Sequence, residues 1–464
     1  MDTTDGRLIR ADSQARFRPR AERLAAGKGL RQTVPRKAHA TWRPAPDRPD
    51  PIATLEESSA GRLPSLIPIR YGRMMRSPFT FLRGSAALMA SDLATTATTN
   101  VQVQACGDCH VLNFGLFATP ERNLVFDLND FDETHPAPFE WDLKRLTASL
   151  VVAARDSRMT DQEAEAAVLA CVHSYRTKLR EYSHLSPLDV WYERLDARDL
   201  IAMAPDEKSR KFREKLALKA RKRVIDHLFP KIVSQVGGTH RFVDMPPVLF
   251  HVDDPDLDQR VKAALEDYRQ SLSHERQVLF DRYRLEDVAI KVVGIGSVAT
   301  RCWVALFFSE DNHPMILQIK EARRSVLEPF TQPSAYDNQG QRVVVGQRLM
   351  QSSSDIMLGW VRSINGVDLF IRQLRDMKLS VPLEGLTAIQ LERYADVCAW
   401  TLARAHAKSG DAAMISGYLG KSDTFDRALA DFAGAYADQT ERDHRCLVEA
   451  VQSGRLEALV EEAL

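Results

Sequence analysis

Asp108 and Asn113 lie in Gly107-Asp108-Cys109-His110-Val111-Leu112-Asn113, and Asp130 follows in Asn129-Asp130-Phe131-Asp132-Glu133. A carboxylate able to take a proton, then an amide oxygen, then a second carboxylate, can supply one base and two oxygen ligands for a hard cation. Phosphoryl transfer to a hydroxyl uses such a set. Far downstream, Gly294-Ile295-Gly296-Ser297 offers backbone N–H groups without bulky side chains, and Lys320 ends an apolar run. Glycines allow the backbone to approach phosphates, and a lysine adds a positive charge. The interval from Asp108 to Asn113 has low specificity alone, so the surrounding elements decide its weight.

Val101–Ala105 and Leu124–Leu128 read as short strands that end at the two acidic loops, with a hairpin between them. Apolar residues at helical spacing from Leu143 to Ala154 predict a helix with Asp142 at its N-cap. Ser77-Pro78 reads as the start of a helix over Phe79 to Ala94. Residues 160–230 are helical by period, with a basic run from Arg210 to Arg223 read as a solvated face. The pattern then becomes β-rich. Val288–Val293 and Cys302–Phe308 bracket the glycines, Met315–Lys320 forms a third run, and strand signals continue to about Arg375. Leu391–His406 and Thr424–Glu462 are helical again. The resulting expectation is an α+β chain in four parts. These are a flexible Arg/Pro-rich arm (1–60), a helical lobe with the acidic loops (61–285), a β-rich nucleotide-binding lobe (286–376), and helices completing the helical lobe (377–464).

Gly107-Asp108-x-His110-x-x-Asn113, then Asp130-Phe131-Asp132, then Trp141-Asp142-Leu143 resemble the signature of aminoglycoside phosphotransferases and related kinase-like enzymes. That signature runs His-Gly-Asp-x-His-x-x-Asn, apolar-Asp-Phe/Trp, Tyr-Asp-Leu. The resemblance implies a two-lobed protein-kinase-like fold, with a mainly helical large lobe and a smaller antiparallel β lobe, and ATP and Mg²⁺ as cofactors. It implies Asp108 as base and Asn113 and Asp130 as metal ligands. The interval from Asp130 to Asp142 fits the pattern better than that from Asp127, which stays as the second candidate. Gly294, Gly296 and Ser297 would form the phosphate loop and Lys320 the clamp, with His110, Asp132 and Arg83 auxiliary. Ala299 stands where a third glycine belongs, and Glu328 and Gln347 are the candidates for the partner of Lys320. The catalytic-type loop precedes the glycine loop, so a circular permutation is required; it is a mild change when termini lie close together.

The chain as a whole resembles the bacterial domain of unknown function 2252 family, which is grouped with kinase-like folds but has no assigned reaction. The resemblance rests on Ser77-Pro78-Phe79, Leu82-Arg83-Gly84, Cys106 to Gly115, Asp127 to Thr134, and Glu140 to Leu146.

Cys106-Gly107-Asp108-Cys109-His110 also matches a haem c attachment pattern, a redox pair or half a zinc site. No export signal or second ligand pair accompanies it, so both cysteines are expected as buried small residues. His406 is expected to be a packing residue. Lys and Arg total 63, as do Asp and Glu, in 464 residues, which gives no general case for nucleic acid or an anionic membrane. No apolar run approaches the roughly 18 residues a membrane helix needs. Six cysteines fit a reducing compartment, and a cytoplasmic location follows as the expectation. The leading expectation is a phosphotransferase that moves a phosphoryl or nucleotidyl group from Mg-ATP to a small-molecule or protein acceptor. A nucleotide-binding regulator without turnover is the alternative, and a Cys-x-x-Cys redox or metal protein a minor one.

Overall fold

The computed structural model describes residues 18–460 apart from 224, 255, 293 and 375–376. Its acidic loops are set by two short strand pairs. Gln102–Ala105 pairs antiparallel with His135–Pro138, Ala105 opposite His135. Phe114–Ala118 pairs with Leu124–Leu128, Phe114 opposite Leu128. Both loops, 106–113 and 129–134, therefore leave the same end of these ladders. Leu379–Ser380 and Leu195–Asp196 extend the hairpin to a four-stranded sheet.

The helical lobe is built on Phe139–Asp156, Asp161–Tyr182, Ala388–Ser409 and Thr424–Gln452. Their buried faces carry many Ala, Leu and Val side chains and merge with the hairpin into one core. Capping boxes start two of them, Thr160 with Glu163 and Thr387 with Gln390, which satisfies N–H groups the helix cannot pair. The start at Ser77 has a capping box with Thr80, but the helix expected from Phe79 to Ala94 is two, Pro78–Gly84 and Ala86–Ala94, broken at Ser85. Among the described residues no helix is long and apolar enough to cross a membrane.

The β lobe is a six-stranded antiparallel sheet. Its order is Gly359–Arg362, Asp368–Gln373, Pro314–Glu321, Cys302–Phe308, Arg284–Lys291, Leu249–Phe250. Alternating side chains bury opposite faces: Ala305 and Phe307 meet Tyr268 and Phe280, while Val304, Leu306 and Phe308 meet Ile232 and Phe242. The lobe boundary is corrected by this packing. The segments carrying Ile232, Phe242, Tyr268 and Phe280, assigned from sequence to the helical lobe, cover the sheet instead, and Leu249–Phe250 joins it as an edge strand. An amphipathic helix such as Leu257–Gln270 buries its stripe against whichever apolar face lies nearest.

The N-terminal arm is corrected as well. Residues 1–17 lie outside the described residues, but from residue 18 onward the segment is docked. Arg31 and Arg36 donate to the carbonyls of Tyr418 (2.8 Å) and Leu419 (2.7 Å) at the end of the helix Ala412–Leu419. Arg48 bonds Asp92 at 2.7 Å and Asp443 at 2.6 Å, and His39 and Trp42 are buried. Arg31, Arg36 and Arg48 thus find their partners far away in the chain.

Candidate active site

Asp142 is not an N-cap, because its helix begins three residues earlier, at Phe139. Its carboxylate turns back and accepts the N–H groups of Cys106 at 2.6 Å and Gly107 at 2.9 Å. His406 stands 3.2 Å from the same carboxylate and 2.7 Å from the Tyr175 hydroxyl, fully buried, which bears out its packing role. Gly107 has φ 84°, and a Cβ there would sit 2.3 Å from the Glu133 carbonyl oxygen, so only glycine lets the two loops touch. Asn113 ties them further. Its Nδ2 donates to the carbonyl oxygens of Asp108 (3.1 Å) and Asp130 (3.0 Å), while its buried Oδ1 accepts nothing.

Arg145, one turn along from Asp142 on the same helix, grips Oδ1 of Asp108 through Nε (2.7 Å) and Nη2. The other oxygen of Asp108 faces His110, whose Nε2 lies 3.9 Å away. Burial pushes His110 down to about 4, so its ring is neutral at pH 7.

Lys320 enters from the β lobe. Its ammonium bonds Asp132, 188 residues earlier in the chain, and stands 3.8 Å from Oδ1 of Asp130. Burial opposes charge on Lys320, but the two carboxylates outweigh it and hold its pKa above the ordinary value. Burial also opposes charge on Asp130, yet Lys320, Arg372 and Lys378 hold its carboxyl well below the usual range. Asp132 is pushed up, by burial and by Asp130. The two acids beside one lysine thus split in opposite directions. Burial raises Glu133 to about 6. Arg342, from the helix Gln339–Met350, carries the acidic loop by donating to the Asp132 carbonyl at 2.8 Å.

A cleft of about 410 Å³ separates the lobes, and Asp108, His110, Asn113, Asp130, Asp132, Lys320, Arg83, Gly294 and Gly296 all line it. The glycines form a short 3₁₀ turn, Ile295–Ser297, rather than a long hairpin loop. A Cβ on Gly296 would stand 3.9 Å from Oδ2 of Asp108, so the turn roofs that carboxylate. Arg62 holds the turn by donating to the carbonyls of Gly296 (3.0 Å) and Val298 (2.6 Å). Ser297 closes the turn with its backbone; its side chain lies outside the described residues.

Asp127 is not brought to the cleft. It sits inside the strand Leu124–Leu128, fully buried, with its oxygens taken by Arg404 (2.6 Å), by the N–H (2.8 Å) and hydroxyl (2.7 Å) of Ser352, and by the Leu128 N–H (2.9 Å). Glu328 and Gln347 are not partners of Lys320: Glu328 pairs with Arg324 at 3.1 Å, and Gln347 bonds Gln351 at 2.9 Å. Cys106 and Cys109 are buried free thiols. Among the described residues no group of three or more His, Cys, Asp or Glu side chains could hold a metal ion, so neither a zinc site nor an all-carboxylate site is present. Asn113 and Asp130 nonetheless both present a buried oxygen that accepts no hydrogen bond.

A family profile described as "Uncharacterized protein conserved in bacteria (DUF2252)" matches residues 62–450. The chain belongs to that family. Neither a curated protein nor a solved structure matches it. The matched span of this DUF2252 chain contains every cleft residue named above and begins at Arg62, which holds the glycine turn. Arg372 and Lys378 also line the DUF2252 cleft, and sequence reasoning missed both. Arg372 lies in a strand and Lys378 beyond the strand end, so neither has a local spacing that signals it. Burial lowers Lys378 to about 7, with Arg372 the next cause, and its ammonium donates to the Asn129 carbonyl at 3.0 Å.

Proposed function

We propose that this chain is a kinase-like phosphotransferase with rearranged segment order, moving a phosphoryl group from Mg-ATP to an acceptor hydroxyl. One observation carries the reading: Asp108, Asn113, Asp130, Lys320 and the Gly294–Gly296 turn, drawn from two distant segments, share one cleft. The β lobe supports it. The glycine turn joins the first two strands of Arg284–Lys291, Cys302–Phe308 and Pro314–Glu321, the lysine lies on the third, and the helix Gln339–Met350 follows. Protein kinases place their phosphate-contacting lysine on the third strand, ahead of a helix. Here the catalytic-type loop comes first in the chain, as a circular permutation requires.

Asp108 accepts the acceptor's proton at Oδ2, while Arg145 holds Oδ1 and fixes the carboxylate's direction. Lys320 and the turn's N–H groups hold the phosphates, and Asp132 keeps the ammonium in place. The oxygens of Asn113 and Asp130 that accept no hydrogen bond among the described residues fit Mg²⁺, which takes few protein ligands. When bound, the ion neutralises the charge developing on the phosphates. Nucleotidyl transfer would use the same residues.

Arg145's hold on one oxygen of Asp108, and the glycine turn resting against the other, favour a second reading, a nucleotide-binding regulator without turnover. Thermal shift with ATP, with and without Mg²⁺, alongside ATP consumption over a metabolite panel, separates them. The enzyme reading expects Mg²⁺-dependent stabilisation that Asp130→Ala abolishes, plus turnover with at least one acceptor. Binding without turnover supports the regulator, and no binding overturns both.

A further inference from the structure

We propose that the cleft contains an anion subsite built on Arg83 beside Asp108, so that the acceptor is a small molecule carrying its own phosphate or carboxylate group. This rests on the phosphotransferase reading for the word acceptor; the subsite itself stands on the charges around it.

Lys and Arg side chains outnumber Asp and Glu along the cleft walls. Most have protein partners. Lys320 bonds Asp132, Arg62 holds the glycine turn, and Arg70 donates to the Gly84 carbonyl at 2.9 Å. Arg372 bonds Gln318 at 3.2 Å, and Lys378 bonds the Asn129 carbonyl. Arg83 differs. Its Nε is buried and unpartnered, as that of Arg70 is, but unlike Arg70 it has no carboxylate or carbonyl bonded to the rest of its guanidinium among the described residues. Half-buried on the cleft wall, the guanidinium is open to a ligand, and its planar fork matches a phosphate or carboxylate.

The plainer alternative is that Arg83 only screens the acidic loops. Those acids already have cations: Arg145 on Asp108, and Lys320 on Asp132 and near Asp130. Arg83 adds its charge near Asp108 and Asp130 without bonding either, so its donors stay open to a ligand. Its position suits an acceptor, because its side chain lines the same cleft as Asp108 and is acted on by the charges of Asp108 and Asp130. An anion held there leaves the rest of the molecule beside the base. A polycationic acceptor, such as an aminoglycoside, would meet Arg62, Arg70 and Arg83 instead, and is disfavoured by their charge.

Calorimetric titration of the full chain with inorganic phosphate and with acetate, each with and without saturating Mg-ADP, tests this. Binding of either anion is expected with Mg-ADP present, weakened about tenfold or more in Arg83→Gln and less in Arg83→Lys, with Mg-ADP affinity kept. Thermal midpoints of both variants check folding; if Arg83→Gln does not fold, Arg83→Lys carries the comparison. The proposal is overturned if neither anion binds, if the variants bind them like the parent, or if Mg-ADP displaces them, which would put the anion on the donor side. Anion binding through Arg83 without Mg-ADP binding keeps the subsite and removes the phosphotransferase reading.

Discussion

Lys320 Nζ stands 3.8 Å from Asp130 Oδ1 and bonds Asp132, so one buried cation from the β lobe serves two carboxylates of the helical lobe. Lys320→Met leaves both acids without it. The expected loss is about 3–5 kcal/mol in denaturant unfolding, because an uncompensated charge stays behind. Adding Asp132→Asn should restore part of that loss, and a double-mutant cycle with no coupling between the two sites would contradict the pairing.

Lys378 makes stability depend on pH in a defined direction. Its folded pKa is lowered to about 7 by burial, against 10.5 for an ordinary lysine. Between these values the unfolded chain binds more protons, so stability rises with pH above 7. Since Lys378 keeps some exposure, the gain from pH 7 to 9 is expected to be roughly 1–2 kcal/mol. Urea unfolding at the two pH values, repeated with Lys378→Met, measures it; the variant should lose the slope.

Asp142 is predicted to matter for loop geometry more than for helix initiation. Asp142→Ala leaves the N–H groups of Cys106 and Gly107 without their acceptor, and a buried donor without a partner costs about 1–3 kcal/mol each. Hydrogen exchange at those two amides should accelerate, while amides in the first turn of Phe139–Asp156 keep their protection.

Two glycines separate support from function. Gly107→Ala drives a Cβ into the Glu133 carbonyl and requires φ 84° of an alanine, so a loss of several kcal/mol is expected. A Cβ on Gly294 meets nothing within 4 Å and φ there is −48°. Gly294→Ala should leave the thermal midpoint nearly unchanged while weakening Mg-ATP stabilisation, and an unaltered ATP response would remove this turn from the phosphate site.

Asp127 and Asp130 should part in opposite ways. Asp127→Ala strands the fully buried Arg404 and should cost about 3–5 kcal/mol, yet the folded protein should still respond to Mg-ATP. Asp130→Ala is expected to stay folded and lose that response. Paired unfolding and thermal-shift curves read both.

Much of the centre was legible in residue types and intervals. Asp108 and Asn113 sit on one short loop, so their spacing along the chain nearly fixes their spacing in space. The helix start at Ser77-Pro78 and the strand Cys302–Phe308 are local too, and each appears as read. Burial and choice of partner were not legible. Spacing to Asp142 favoured Asp130 over Asp127 but did not show the partners: a strand turns Asp127 toward Arg404 and a loop end leaves Asp130 to Lys320.

The same contrast explains the arm, the lobe boundary and Arg83. An arginine-rich segment reads as solvated until carboxylates such as Asp92 and Asp443 meet it, and an amphipathic helix does not state which sheet or bundle will cover it. By itself the sequence determined which groups each loop can present, because hydrogen bonding and spacing within a turn are short-range. Only the tertiary structure decided which charges are neutralised and which, like Arg83, are left over. Neutralisation depends on side chains that come together only when distant apolar faces are buried against one another.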